Sequence, residues 1–73
     1  MTITILVADD HPIFRDGLVR SLEEDDGFSV VGVASTAADA IALAATHRPE
    51  VALLDLSMPG GGLTAIAQIA SEK

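Results

Sequence analysis

The sequence predicts an α/β fold, a parallel sheet wound as βαβαβα with strand order 2-1-3, and three observations carry that prediction. Short apolar segments rich in strand formers alternate with longer segments of helical periodicity. The junctions between them hold proline, glycine or paired acids. Aspartates close the first and third apolar segments, Asp9 and Asp10 after one and Asp55 after the other. Alternating strands and helices imply right-handed crossovers and parallel pairing. Order 2-1-3 brings the aspartates together beside the point where the winding reverses, where open α/β sheets bind ligands, whereas order 1-2-3 would part them by a strand. Their clustering favours 2-1-3.

The first strand spans residues 3 to 8, which begin in alternation and end as a continuous apolar run, the pattern of a strand covered on both faces. Pro12 then suits a first helical turn. Phe14, Leu18 and Leu22 recur at four-residue spacing, with Arg15, Asp16, Arg20 and Glu23 largely off that stripe, so an amphipathic helix from about Pro12 to Glu24 is expected with the stripe as core. Asp25-Asp26-Gly27 stops it. Residues 28 to 34, Phe-Ser-Val-Val-Gly-Val-Ala, read as the second strand. Thr36 followed by Asp39 resembles a capping box, with Asp where Glu or Gln is usual, and opens an alanine-rich helix whose Ala37, Ala40, Ile41 and Ala44 face the core. Pro49 closes that helix, and Val51 to Leu54 is a third strand of the buried type. Leu56 to Gly62 forms a loop, and Leu63, Ile66, Ala67 and Ile69 or Ala70 mark a last helix.

Composition narrows the function classes. A chain of 73 residues is one small domain, in a range where folding buries only about 60% of the unfolded surface. No apolar run approaches the ~18 residues of a membrane span, and the start lacks the basic region of a signal peptide, so a cytoplasmic protein is expected. The absence of cysteine removes disulfide frameworks and thiolate metal sites. Eleven acidic against four basic residues give a net charge of -7, which repels nucleic acid and anionic membranes. Adjacent strands stand ~4.8 Å apart, so Asp9, Asp10 and Asp55 would crowd at one sheet edge unless a cation or proton relieved them. A divalent metal is the simplest relief.

Leu6-Val7-Ala8-Asp9-Asp10-His11-Pro12, with Leu53-Leu54-Asp55-Leu56-Ser57-Met58-Pro59-Gly60, resembles the receiver domain of bacterial two-component response regulators. The continuation Phe14-Arg15 and Gly17-Leu18 is most similar to the NarL/FixJ (LuxR-type) transcriptional regulators. The resemblance covers the whole chain as a partial receiver, residues 1–73, with no output domain and without the last two βα units of the flavodoxin-like order 2-1-3-4-5. It implies that Asp55 is the phosphoacceptor, that Asp9 and Asp10 hold Mg2+ together with Asp55, and that the backbone carbonyl of Ser57 is a further ligand. Mg2+ suits such a site because it takes oxygen donors from one or two carboxylates plus phosphate. The implied partners are a histidine kinase or a small acyl-phosphate donor. DNA binding would belong to a parent's C-terminal helix-turn-helix domain, with no nucleic acid or membrane contact by this chain.

Departures from the family matter too. Its Ser or Thr after the fourth strand and Lys after the fifth have no counterpart here, Lys73 being no substitute, so impaired switching is expected. The loop through Gly60-Gly61-Gly62 is one residue shorter than the common spacing. The expected outer edge of strand three and the first helix's apolar face lack partners, which implies a homo-oligomer through that edge, that helix or element exchange.

Plainer explanations exist for single features. An acidic pair after a strand can cap a helix, His11 reads as a helix-entry side chain in preference to a phosphorylated or ligand histidine, His47 as a helix C-terminal cation, and the glycines, without a following Lys-Ser or Lys-Thr, as a flexible loop. Two other functions compete with the receiver reading. One is a self-associating fragment without phosphorylation. The other is a Mg2+-dependent aspartyl-phosphate phosphatase, which would want a second aspartate two residues past the nucleophile, where Ser57 stands. No enzyme acting on an external substrate is expected.

Overall fold

The computed structural model describes residues 2–55, 58, 60 and 61. Strand β1 (Ile3–Ala8) leads to helix α1 (Pro12–Glu23), then β2 (Phe28–Ala34), α2 (Ala37–His47) and β3 (Val51–Leu54). The sheet has the order β2-β1-β3, with both pairings of β1 parallel. The predicted last helix and most of the loop before it lie outside the described residues. Because the first crossover runs to one side of β1 and the second to the other with the same handedness, α1 and α2 cover opposite faces of the sheet.

Local chemistry explains where each element begins and ends. Pro12 occupies the first turn of α1, where its missing N–H has no helical partner to lose. Gly27 N donates to Asp25 Oδ1 at 2.7 Å, and Phe28 N to Asp25 O at 3.2 Å, so the acidic turn after α1 is tied by its own side chain. Thr36 Oγ1 accepts from Asp39 N at 3.2 Å, which satisfies one orphan donor of α2 as predicted. Arg48 ends α2 in the left-handed region at φ 47°, with its N–H on Ala44 O.

The core lies on the α2 side of the sheet. Leu6 and Ala8 of β1, Ala34 of β2, Ala37, Ala40 and Ala44 of α2, and Met58 form one buried cluster, with Ile41, Leu43, Ala52 and Leu54 packed against it. Alanines along one stripe let α2 approach closely, and Leu6, the largest side chain there, is 1% exposed. At Gly32 a Cβ would stand 3.1 Å from Leu6 Cδ1 and 3.4 Å from Leu43, so this strand position has little room for a side chain. Beside it the β1–β2 register slips between Ile5 and Leu6, which pair with Val30 and Gly32.

The α1 side differs from expectation in two ways. The Phe14, Leu18, Leu22 stripe is not core: Leu18 and Leu22 are half-buried, Phe14 is 61% exposed and α1 has no buried residue. Likewise β3 is not covered on both faces, because Val51 and Leu53 are exposed while Ala52 and Leu54 pack toward α2. The physical reason is common to both. Among the described residues only α1 covers this face, and it packs on β2 and β1, leaving the β3 side open. A hollow of about 190 Å³ there is lined chiefly by Val7, Phe14, Leu18, Leu53 and Asp55.

Candidate metal centre

The sheet hydrogen bonds continue past the strand ends into the acidic residues. Asp9 N donates to Ala34 O at 3.0 Å, and Asp55 N donates to Ala8 O at 2.9 Å. Both backbones are thereby held at the carboxyl edge of the sheet, on neighbouring strands that run in the same direction. Asp9, Asp10, His11 and Asp55 each offer a ligand atom within 4.8 Å of the others. The sequence expectation that Asp9, Asp10 and Asp55 converge therefore matches the geometry. Ser57, the fourth predicted ligand through its carbonyl, lies outside the described residues.

Asp9 is the buried member, 8% exposed, while Asp10 and Asp55 are half-buried. Its Oδ1 accepts the His11 backbone N–H at 2.8 Å, an Asx-type turn that sends the chain from strand into helix. The capping explanation thus holds in part for Asp9. It does not account for Asp10, whose Oδ1 is buried and accepts no hydrogen bond. Such an orphaned carboxylate oxygen, facing two more carboxylates, is the donor set a hard divalent cation would satisfy. The residues present fit Mg2+. Arg15 approaches from α1, its Nη1 3.5 Å from Asp9 O, and its Nε is 3.6 Å from Asp16 Oδ1.

His11 was read in the sequence as a helix-entry residue, and it is the N-cap of α1, but its side chain makes no capping bond. Instead Nδ1 stands 2.7 Å from Asp9 Oδ1, 3.2 Å from Asp10 Oδ1 and 3.4 Å from Asp55 Oδ2. The hydrogen bond to Asp9, then the charges of Asp10 and Asp9, raise its pKa above the ordinary 6.5. Since the folded value is raised, protonated His11 stabilises the fold fully below about pH 6.5, and this contribution fades as pH rises through the folded value. In metal-free buffer the His11 ring resonances should titrate above 6.5, and Asp9→Asn should lower the midpoint. An unchanged midpoint in that variant would contradict the geometry.

For two members of this region the sequence reading did not give the placement. One is His11, for which the aspartate two residues earlier was the available signal, because an Asx turn folds residue i+2 back over the carboxylate. The other is Met58, 2% exposed, which packs in the buried cluster with Ala37, Ala40 and Ala44 of α2. Gly60, at φ 90°, lies so close to α2 that a Cβ would come 2.9 Å from Ala37 Cβ.

A parallel sheet of order 2-1-3 with a carboxylate cluster at its switch point defines the class. The chain matches the response regulator receiver domain over residues 5–73, and it belongs to that family. It is 48% identical over 58 residues to the probable transcriptional regulatory protein NarL of Mycobacterium tuberculosis, covering 80% of this chain and 27% of the relative. It is 46% identical over 69 residues to the response regulator UvrY of Escherichia coli, covering 93% of this chain and 32% of that protein. The solved receiver domain of M. tuberculosis NarL superposes with a TM-score of 0.92 at 43% identity, over 97% of this chain and 58% of that one. The chain thus spans about a third or less of these curated relatives. Receiver domains are signalling modules that bind Mg2+ at an acidic pocket, and response regulators interact with histidine kinases.

Proposed function

We propose that this chain is a phosphoacceptor receiver module in which Asp55 takes a phosphoryl group while Asp9, Asp10, Asp55 and the Ser57 carbonyl hold Mg2+. The observation that carries this reading is the gathering of three strand-end carboxylates from β1 and β3 within 4.8 Å. Bound Mg2+ would neutralise charge on the phosphoryl oxygens, and catalysis would otherwise rest on positioning. The chain's own part is then simple. An Asp55 carboxylate oxygen forms the bond to phosphorus, the bond from phosphorus to the donor's nitrogen or oxygen breaks, and its electron pair leaves with the donor, giving an acyl phosphate. The backbone bond from Asp55 N to Ala8 O fixes the origin of that side chain.

A histidine kinase or small acyl phosphate is the proposed donor, and the setting is cytoplasmic. For residues 1–73 the proposed chemistry is phosphoryl acceptance at Asp55. DNA regulation would belong to a further helix-turn-helix domain of the parent protein. Incubation with acetyl phosphate and Mg2+ should add one phosphate by intact mass, and Asp55→Asn should abolish the gain. Labelling that persists in Asp55→Asn would overturn the assignment.

Self-association is supported by a separate observation, the exposure of Phe14, Val51 and Leu53 on one side of the sheet. Sedimentation at micromolar concentration should show a species larger than a monomer. A compact monomer that unfolds cooperatively would exclude it.

A further inference from the structure

We propose that the groove between the second half of α1 and the outer edge of β2 docks an extended, basic segment of a partner protein, which adds to the sheet as a further strand beside Val33. The groove lies at the other end of α1 from the carboxylate pocket. It does not depend on that pocket holding a metal.

Among the described residues β2 is an outer strand, seven residues long, with no charged residue and no proline along it. Edge strands are normally blunted by such residues, and this one is not. Ala34 O accepts from Asp9 N and so faces β1, and because successive residues of a strand alternate, the N–H and C=O of Val33 face away from the sheet. They can pair with an added strand. The register slip leaves Val31 without an opposite residue on β1, which confines regular pairing to the stretch after it, Gly32 to Ala34. Beside that stretch Asp16, Val19, Arg20, Glu23 and Glu24 share one face of α1, and with Val33 they line a groove of about 460 Å³. Val33 is 43% exposed there.

Charge decides the occupant. Three carboxylates and one guanidinium line the groove, and neither Glu23 nor Glu24 makes an ion pair among the described residues. Both stand at the C-terminal end of α1, where the helix dipole disfavours an anion. Basic side chains on alternate residues of an added strand would lay their aliphatic stems over Val33 and bring their charged ends to these carboxylates. A second copy of this chain, at net charge -7, meets repulsion instead.

The test is titration of the 73-residue chain with a short capped peptide alternating lysine and valine, followed by amide exchange and chemical shift at micromolar protein. The Val33 amide should become at least about tenfold better protected from exchange, and a matching peptide of glutamate and valine should leave it unchanged. Glu23→Gln combined with Glu24→Gln, at two exposed positions, should weaken the lysine peptide at least about threefold. Asp39→Asn, an exposed acid on α2, should not weaken it. The amide readout in the unmodified chain does not depend on whether a variant folds. No binding, binding that leaves the Val33 amide unprotected, equal binding of the acidic peptide, or an equal loss in Asp39→Asn would overturn the inference. Protection of Val33 in the chain alone, rising with protein concentration, would place a second copy on the edge and overturn it as well.

Discussion

Replacing Leu6 by alanine should leave most of the chain unfolded in mild urea. Leu6 lies at the centre of the only sizeable buried cluster among the described residues, under the alanine face of α2 and against the position of Gly32. Truncation of a buried leucine costs about 2–5 kcal/mol, made up of lost transfer energy and the cavity that remains. A domain of 73 residues is expected to have about 4–11 kcal/mol of stability in total. The open α1 side places this one toward the lower end. Denaturation followed by far-ultraviolet circular dichroism should show the urea midpoint falling by half or more with little change in slope. Leu53→Ala is the contrast: Leu53 is 37% exposed, so its loss should cost about 1 kcal/mol or less. Equal effects at the two positions would mean that the core is not where Leu6 sits.

Asp10→Asn should make the metal-free chain more stable and at the same time weaken its hold on Mg2+ at least tenfold. Two like charges within 4.8 Å of each other repel by at least about 3 kcal/mol at an effective dielectric of 20. The half exposure of Asp10 and Asp55 and the nearby His11 reduce this, so a gain of about 1 kcal/mol is expected. Asp10 is the informative choice because its Oδ1 accepts no hydrogen bond, so neutralising it gives up only the charge interaction with the exposed His11 ring 3.2 Å away. Asp9→Asn would remove the acceptor of the His11 N–H as well. Urea titrations with and without Mg2+ check both halves: Mg2+ should raise the midpoint of the parent chain and leave that of Asp10→Asn nearly unmoved. Stability traded against function in this way is expected where like charges are assembled for a ligand.

How far these features can be read from the sequence depends on their range. β1, β2, α2 and β3 are legible because strong local patterns agree with the fold, as in the alanine stripe opened by Thr36 and stopped at Pro49. The three aspartates are legible because parallel order 2-1-3 leaves one edge at which they meet. Burial on the α1 side was not legible. The spacing of Phe14, Leu18 and Leu22 shows that α1 has an apolar face, but it does not show how much of that face a neighbour covers. The same holds for Val51 and Leu53. The position of the His11 ring follows from an Asx turn, a conformation set by two residues and invisible to periodicity, and the burial of Met58 depends on packing against distant residues of α2 that no local pattern shows.

The central claim is that the side chains of residues 9, 10 and 55 share one cation, and carbon-13 detection of their carboxyl resonances during a Mg2+ titration tests it most directly. All three should move together along one binding curve, with the carboxyl groups of Asp25 and Asp39 unaffected. Independent curves, or a silent Asp55 while Asp9 and Asp10 respond, would contradict the account.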